Sequence, residues 1–293
     1  MNNAFEENWQ DLIKHPEVQT LIALAIAEDI GSGDVTSNAI FKKAQSSTAY
    51  IINRKSTVVA GLTVAEIIFR YFDQNIQFIK KIKDGDLVAA NTVLCEITGD
   101  IKTILTAERC ALNFLMRLCG VANATATAVA ALPPFSKTRI YDTRKTTPGW
   151  RRLDKAAVRV GGGENHRMGL FDAVLIKDNH ILAAGSLSLA VKQARTQNKP
   201  NMIVEVEIDH LTQLDEAISA QPDIILLDNF SLCDMQKAVS RVAGRVILEA
   251  SGGITVEQVA AIANTGIDRI SMGSLTHSAL PIDLSLEIKN ELS

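Results

Sequence analysis

Residues 224–253 read IILLDNFSLCDMQKAVSRVAGRVILEASGG. Two runs of branched apolar residues, Ile224 to Asp228 and Val246 to Ala250, enclose a segment of helical length. A strand, a helix and a second strand in that order form the repeating unit of a parallel sheet. The pattern extends to both sides: Thr138 to Asp142, Ala173 to Lys177, Met202 to Glu207 and Asp268 to Met272 are further strand candidates separated by helical sequence. From Lys137 onward the chain therefore predicts a complete or partial α/β barrel.

The first part of the chain has another rhythm. Asn8 to Asp29 carries apolar residues at helical spacing and stops at Gly31. Short β-branched runs follow at Ser47 to Asn53, Thr57 to Ala60, Ile76 to Ile82 and Thr92 to Ile97, which predicts a small α+β sandwich domain. Lys83 to Gly99 resembles half of a lipoyl or biotinyl carrier, but no lysine is offered at a hairpin tip, so a structural hairpin is the reading. A long helical pattern from Thr103 to about Leu132 ends at Pro133 and Pro134. The expected fold class is α/β, with an N-terminal α+β sandwich domain over residues 1–116 and a C-terminal, complete or partial, α/β barrel over 117–277.

Composition narrows the partners. A formal net charge of −3 over 293 residues gives no general attraction to nucleic acid or anionic membrane. The opening MNNAFEENWQ lacks a basic, then apolar, secretory pattern, and the best early apolar run, Leu21 to Ala27, is far short of the roughly 20 residues that span a bilayer. Cys95, Cys110, Cys119 and Cys233 stand singly without a CxxC pair, as in a reduced, cytoplasmic protein.

Chemistry concentrates at the ends of the strand candidates, where Arg144, Lys145, Lys177, Glu207, Asp228, Ser251 and Gly273 fall. In an α/β barrel those ends converge on one face. Between Arg139 and Lys177 nine Lys or Arg stand against four Asp or Glu, a local excess that suits a small, highly charged anion. Ser251, Gly252 and Gly253 lie between a strand and a helical segment, an arrangement that brings backbone amides to a phosphate. Met272 to Ser274 sits similarly on the next strand. Glu205 and Glu207 alternate and share a face, so with Asp228 they can hold Mg²⁺, directly or through water, while substrate phosphates complete the shell. A general acid and base pair is the other reading of these carboxylates.

Beyond these local readings, AERCALNFLMRLCGVA, DTRKTTPGW, GGGENHRMGL, LIKDNH, VEVE, LLDN, EASGG and ISMGSLTHS, with Ala27 to Ser37, resemble in order the signature blocks of quinolinate phosphoribosyltransferases. Cys119, Asn123 and Trp150 depart from the family pattern without removing a charge. The resemblance implies transfer of phosphoribosyl from phosphoribosyl pyrophosphate to quinolinate with decarboxylation, and Mg²⁺ as cofactor. It places quinolinate's carboxylates on Arg109, Arg144, His166 and Arg167, with Thr143, Lys145 and Lys177 nearby. Glu207, Asp228, Ser251, Gly252, Gly253 and Gly273 then serve phosphoribosyl pyrophosphate and its metal, with His277 close to the phosphates; Lys145, Lys177, Glu207 and Asp228 are the catalytic candidates. It further implies a homodimer in which Arg109 reaches the partner's site, and a tail, 278–293, that packs back on the N-terminal domain. A phosphoribosyltransferase for nicotinate does not need so many cations, and a non-catalytic phosphometabolite-binding barrel does not explain Glu207 with Asp228.

Overall fold

The computed structural model describes residues 8–289. The polar opening of the chain through residue 7 and the last four residues of the expected tail lie outside the described residues. Among the described residues no helix is long and apolar enough to cross a membrane.

The chain forms two compact units. In the first, strands β1 (Ser46–Asn53), β3 (Gln77–Lys80), β5 (Val93–Asp100) and β12 (Leu284–Ile288) make an antiparallel sheet in the order β12-β1-β5-β3, while β2 (Thr57–Val58) pairs with β4 (Leu87–Val88). β12 comes from the end of the chain and pairs with β1 in the register Ala49 to Ile288. The predicted opening helix is broken in two, Trp9–Leu12 and Pro16–Ile30, because Pro16 cannot donate to a preceding turn and instead starts a helix of its own.

The first unit also takes in Thr147–Gly162, a segment that lies in sequence between two barrel strands. Its helix, Arg151–Val160, buries Leu153, Ala157 and Val158 together with the carboxylate of Asp154. Arg117 forks onto that carboxylate at 2.8 and 3.1 Å, and Trp150 stacks on Phe114 at 4.6 Å between centroids. A bidentate, charge-assisted pair of this kind offsets the cost of burying Asp154. The tail does return to the first unit, from Ala279, but the rest of the division is not one cut at residue 116: the first unit runs through Ala126 and also takes in 147–162.

The second unit is a six-stranded, all-parallel sheet. Its strands are β6 (Arg139–Tyr141), β7 (Val174–Ile176), β8 (Val204–Ile208), β9 (Ile224–Asp228), β10 (Ile247–Ser251) and β11 (Arg269–Ser271), in the order β6-β11-β10-β9-β8-β7. β6 and β7 form opposite edges, so the barrel is partial. Alternation along each strand stacks the residues of one face in layers. Lys177, Glu207, Asp228, Ser251 and Gly273 lie at or beside the ends of their strands at the C-terminal mouth, and Leu175, Glu205, Leu226, Glu249 and Ser271, two residues earlier on the same strands, face the same side one step deeper.

Candidate active site

The mouth of the barrel encloses a cavity of about 730 Å³. One wall is cationic. The turn after β6 supplies Thr143, Arg144 and Lys145, and the loop before β7 supplies His166 and Arg167, all of which line the cavity. Two aspartates hold that loop. Asp142, fully buried, accepts from the His166 N–H at 2.7 Å and from Asn165 Nδ2 at 2.8 Å, and Asp172 accepts from the N–H groups of Met168 and Gly169 at 2.6 and 2.8 Å. Arg167 donates through Nη1 to the Ala173 carbonyl at 3.1 Å. Burial and the charge of Arg144 lower the Arg167 guanidinium from its ordinary value. Two neighbouring guanidiniums in a half-buried cleft repel, and an anion between them relieves the repulsion.

The facing wall is made largely of backbone. Ser251, Gly252 and Gly253 follow β10 and lead to the helix Val256–Ala263, whose N-cap Thr255 forms a capping box with Gln258. Gly252 has φ +106°, and a Cβ there would lie 2.2 Å from Asn229 Oδ1 and 2.7 Å from the Asn229 nitrogen. Only glycine fits. At Gly273 a Cβ would meet Lys145 Cδ at 3.0 Å and His277 Cδ2 at 3.1 Å, so its missing side chain lets those two residues approach the same rim. Amides at the start of a helix beside glycines suit a phosphate.

Between the walls Lys177 is ion-paired with Glu207. Glu207, Asp209 and Asp228 each offer a carboxylate oxygen, and these oxygens lie within 4.8 Å of one another. An all-oxygen, anionic set of this kind fits a hard cation such as Mg²⁺. Asp209 was not a sequence candidate; it lies beyond the end of β8, and a turn acid there carries no distinguishing signal. Glu205, by contrast, does not join Glu207 and Asp228 in this set. It lies a layer deeper, 3.0 Å from His166 Nε2, with Glu249 Oε1 at 3.5 Å from the same nitrogen. Burial, reinforced by the neighbouring Glu205, pushes Glu249 up to about 7. Sequence reasoning passed over Glu249, although an acid inside a parallel strand buried on both faces is itself a signal.

Of the sequence candidates, thirteen surround this one cavity: Thr143, Arg144, Lys145, His166, Arg167, Lys177, Glu207, Asp228, Ser251, Gly252, Gly253, Gly273 and His277. Arg109 belongs to the first unit, exposed on the thirty-residue helix Ile101–Ala130.

A partial α/β barrel with a guanidinium wall facing a glycine wall across clustered carboxylates falls in the class of barrel enzymes that bring a phosphorylated substrate to a small polyanion. Comparison with known proteins narrows the class. Residues 34–119 match the family described as quinolinate phosphoribosyl transferase, N-terminal domain, and residues 121–287 match the C-terminal domain of the same family. A probable nicotinate-nucleotide pyrophosphorylase [carboxylating] of Bacillus subtilis is 41% identical, with 94% of this chain and 95% of that protein covered. A quinolinate phosphoribosyltransferase [decarboxylating] of Nicotiana tabacum is 40% identical over 95% of this chain and 85% of its own. The solved nicotinate-nucleotide pyrophosphorylase of Francisella tularensis superposes with a TM-score of 0.90 at 43% identity, covering 95% of this chain and 99% of that one. This chain belongs to the quinolinate phosphoribosyltransferase family.

Proposed function

We propose that the cavity transfers phosphoribosyl from phosphoribosyl pyrophosphate to quinolinate, releasing pyrophosphate and CO₂ and leaving nicotinate mononucleotide, a step of NAD synthesis. The observation that carries this reading is the pair Arg144 and Arg167, held side by side across the carboxylates from the glycine wall. An acceptor with two adjacent carboxylates pairs with two guanidinium forks, and Lys177 lies within the same cavity.

The phosphoribosyl phosphate is assigned to the amides of Ser251 to Gly253 and to Gly273, and the pyrophosphate to the side of Lys145 and His277. Glu207 and Asp228, with Asp209 beside them, would hold Mg²⁺, which would supply positive charge to neutralise the leaving pyrophosphate. The arginines aim the pyridine nitrogen at the anomeric carbon, and positioning of this sort removes most of the entropic barrier. As the C–N bond forms, the C–O bond to pyrophosphate breaks, and carboxylate at the mouth stabilises the cationic ribose. When the adjacent carboxylate leaves as CO₂, the electron pair stays on the ring carbon, where the neighbouring positive nitrogen stabilises it, and that carbon then takes a proton. No nucleophilic side chain is required.

The minimal unit of this reading is a homodimer whose sites borrow Arg109 of the partner subunit, working in the cytoplasm without nucleic acid or membrane. Incubation with phosphoribosyl pyrophosphate, Mg²⁺ and either quinolinate or nicotinate tests the reaction: nicotinate mononucleotide and CO₂ are expected from quinolinate, and equal turnover of nicotinate would overturn the acceptor. Subunit exchange tests the dimer. Inactive Arg109→Ala and inactive Lys145→Ala proteins should regain activity when mixed, because one site of each mixed dimer holds both residues.

A further inference from the structure

Asn229 lies one residue beyond the end of β9, next to Asp228, and does not line the substrate cavity. Its contacts nevertheless reach two parts of that cavity. Its N–H donates to the Ser251 carbonyl at 3.0 Å, continuing the ladder in which Asp228 pairs with Ser251. Its side-chain Nδ2 donates to Asp228 Oδ2 at 2.7 Å. A carboxylate only accepts, so the amide nitrogen is the atom that faces Asp228 and the amide oxygen the atom that faces Gly252. That oxygen lies 2.2 Å from where a Gly252 Cβ would stand. One carboxamide thus bridges the oxygen cluster read as the Mg²⁺ site and the turn read as the phosphate site.

The backbone is shaped for this bridge. Asn229 has φ +56°, in the left-handed region that asparagine enters more readily than most residues with a side chain. Glycine would meet the backbone demand alone and would leave the bridge out. Behind the turn there is room to yield. A crevice of about 330 Å³ is lined by residues of the helices Leu232–Val242 and Val256–Ala263, and Ser251 and Gly252 line it as well as the cavity. The phosphate turn is therefore a thin partition, with Asn229 on its crevice side.

We propose that Asn229 is a positioning residue that couples the metal site to the phosphate turn: its carboxamide fixes the Asp228 carboxylate relative to Ser251–Gly253. The proposal deepens the reading of the cavity as a phosphoribosyl pyrophosphate site and rests on it. That substrate carries a monophosphate and a metal-binding pyrophosphate on one ribose, so the sites that receive them must keep a set separation. Strands β9 and β10 hold it through their backbones as far as Asp228 and Ser251. Beyond the strand ends the Asn229 side chain takes over. At this exposed position the bond contributes little to folding. Its value is in aim, because a carboxylate that accepts from Nδ2 at Oδ2 keeps one orientation and leaves its remaining lone pairs to a cation.

Calorimetric binding of phosphoribosyl pyrophosphate, once with Mg²⁺ and once with chelator, tests the coupling in the natural chain, in Asn229→Gly and in Asn229→Ser. Glycine keeps the backbone conformation and removes the bridge. Serine is too short to make the bridge and has a different backbone preference, so the answer does not hang on the folding of one variant. In both, the factor by which Mg²⁺ tightens binding is expected to fall about tenfold, with chelator affinity and quinolinate affinity within about threefold of the natural chain. A merely structural role weakens all of these affinities alike, and a role of the left-handed backbone alone leaves Asn229→Gly natural in every respect. Either result overturns the proposal. So does a Mg²⁺ factor in Asn229→Gly within about threefold of the natural one. A natural chain that binds phosphoribosyl pyrophosphate no better with Mg²⁺ than with chelator removes the metal from the reading of the cavity, and the role of Asn229 with it. A natural chain that shows the factor, beside variants that keep it, removes that role alone.

Discussion

The two walls of the cavity reach the same end, a place for an anion, by opposite means. The cationic wall is side chain throughout: guanidiniums on a turn and a loop, with the loop pinned by Asp142 and Asp172. The glycine wall is backbone, and what matters there is space that no side chain can enter. A wall of side chains can recognise the shape and charge of an acceptor, and its substitutions should have graded effects. A wall of backbone can only be open or blocked.

The largest effect should therefore come from Gly252→Ala. The new Cβ collides with both the side chain and the nitrogen of Asn229 at a φ that alanine rarely adopts, so the 251–253 turn must move. A displacement of this size should lower kcat/KM for phosphoribosyl pyrophosphate by about 100-fold or more, while calorimetric quinolinate binding changes little. Phosphoribosyl pyrophosphate affinity within threefold of the natural chain would show that the wall is not set by its backbone. Arg167→Lys comes next. It keeps the charge but loses the planar fork, and should raise the quinolinate KM by about 10- to 100-fold with the other KM nearly constant. Equal rises in both KM values would erase the distinction between the walls.

Asp142→Ala asks how much of the cationic wall lies in its support. The substitution leaves the His166 N–H and the Asn165 amide without their buried acceptor, at about 1–3 kcal/mol for an unmade bond. A lowered Tm and an approximately tenfold weaker quinolinate KM are expected together. A lowered Tm with normal KM would mean that the loop keeps its shape without Asp142.

How far the sequence disclosed these walls follows from the kind of information each residue carries. The strands were legible because branched apolar runs and polar strand ends repeat, and the mouth residues because a charge at a strand end is conspicuous. Ser251 to Gly253 could be read as a phosphate turn, but the reason for Gly252 could not: it is the neighbouring Asn229, 23 residues earlier in sequence, whose side chain fills the space. Asp142 and Asp172 could not be singled out, since their partners are loop amides that only the folded chain brings near. The place of the helix 151–160 in the first unit depends on Asp154 meeting Arg117 across 37 positions of sequence, a pairing no local pattern announces. Glu205 was read with Glu207 because alternation gives the face and not the depth.

Depth is also where the smallest effect on turnover, and the cleanest effect on stability, should appear. Glu249 lies below both walls, and its pKa is raised from 4.5 to about 7, first by desolvation and then by Glu205. Between those two values the folded chain holds a proton that the unfolded chain has released. Stability from this group is therefore complete below pH 4.5 and is lost progressively as pH rises through about 7. At about 1.4 kcal/mol per pH unit the loss amounts to at most about 3 kcal/mol. Glu249→Gln removes the ionisation and keeps the shape, so urea unfolding should give similar stabilities for variant and natural chain near pH 5. Near pH 8 the variant should be more stable by about 1–3 kcal/mol. If the two stability curves run parallel instead, Glu249 ionises as easily in the folded chain as in the unfolded one. The floor would then be wet, and the contrast between a charged mouth and a dry layer beneath it would fall.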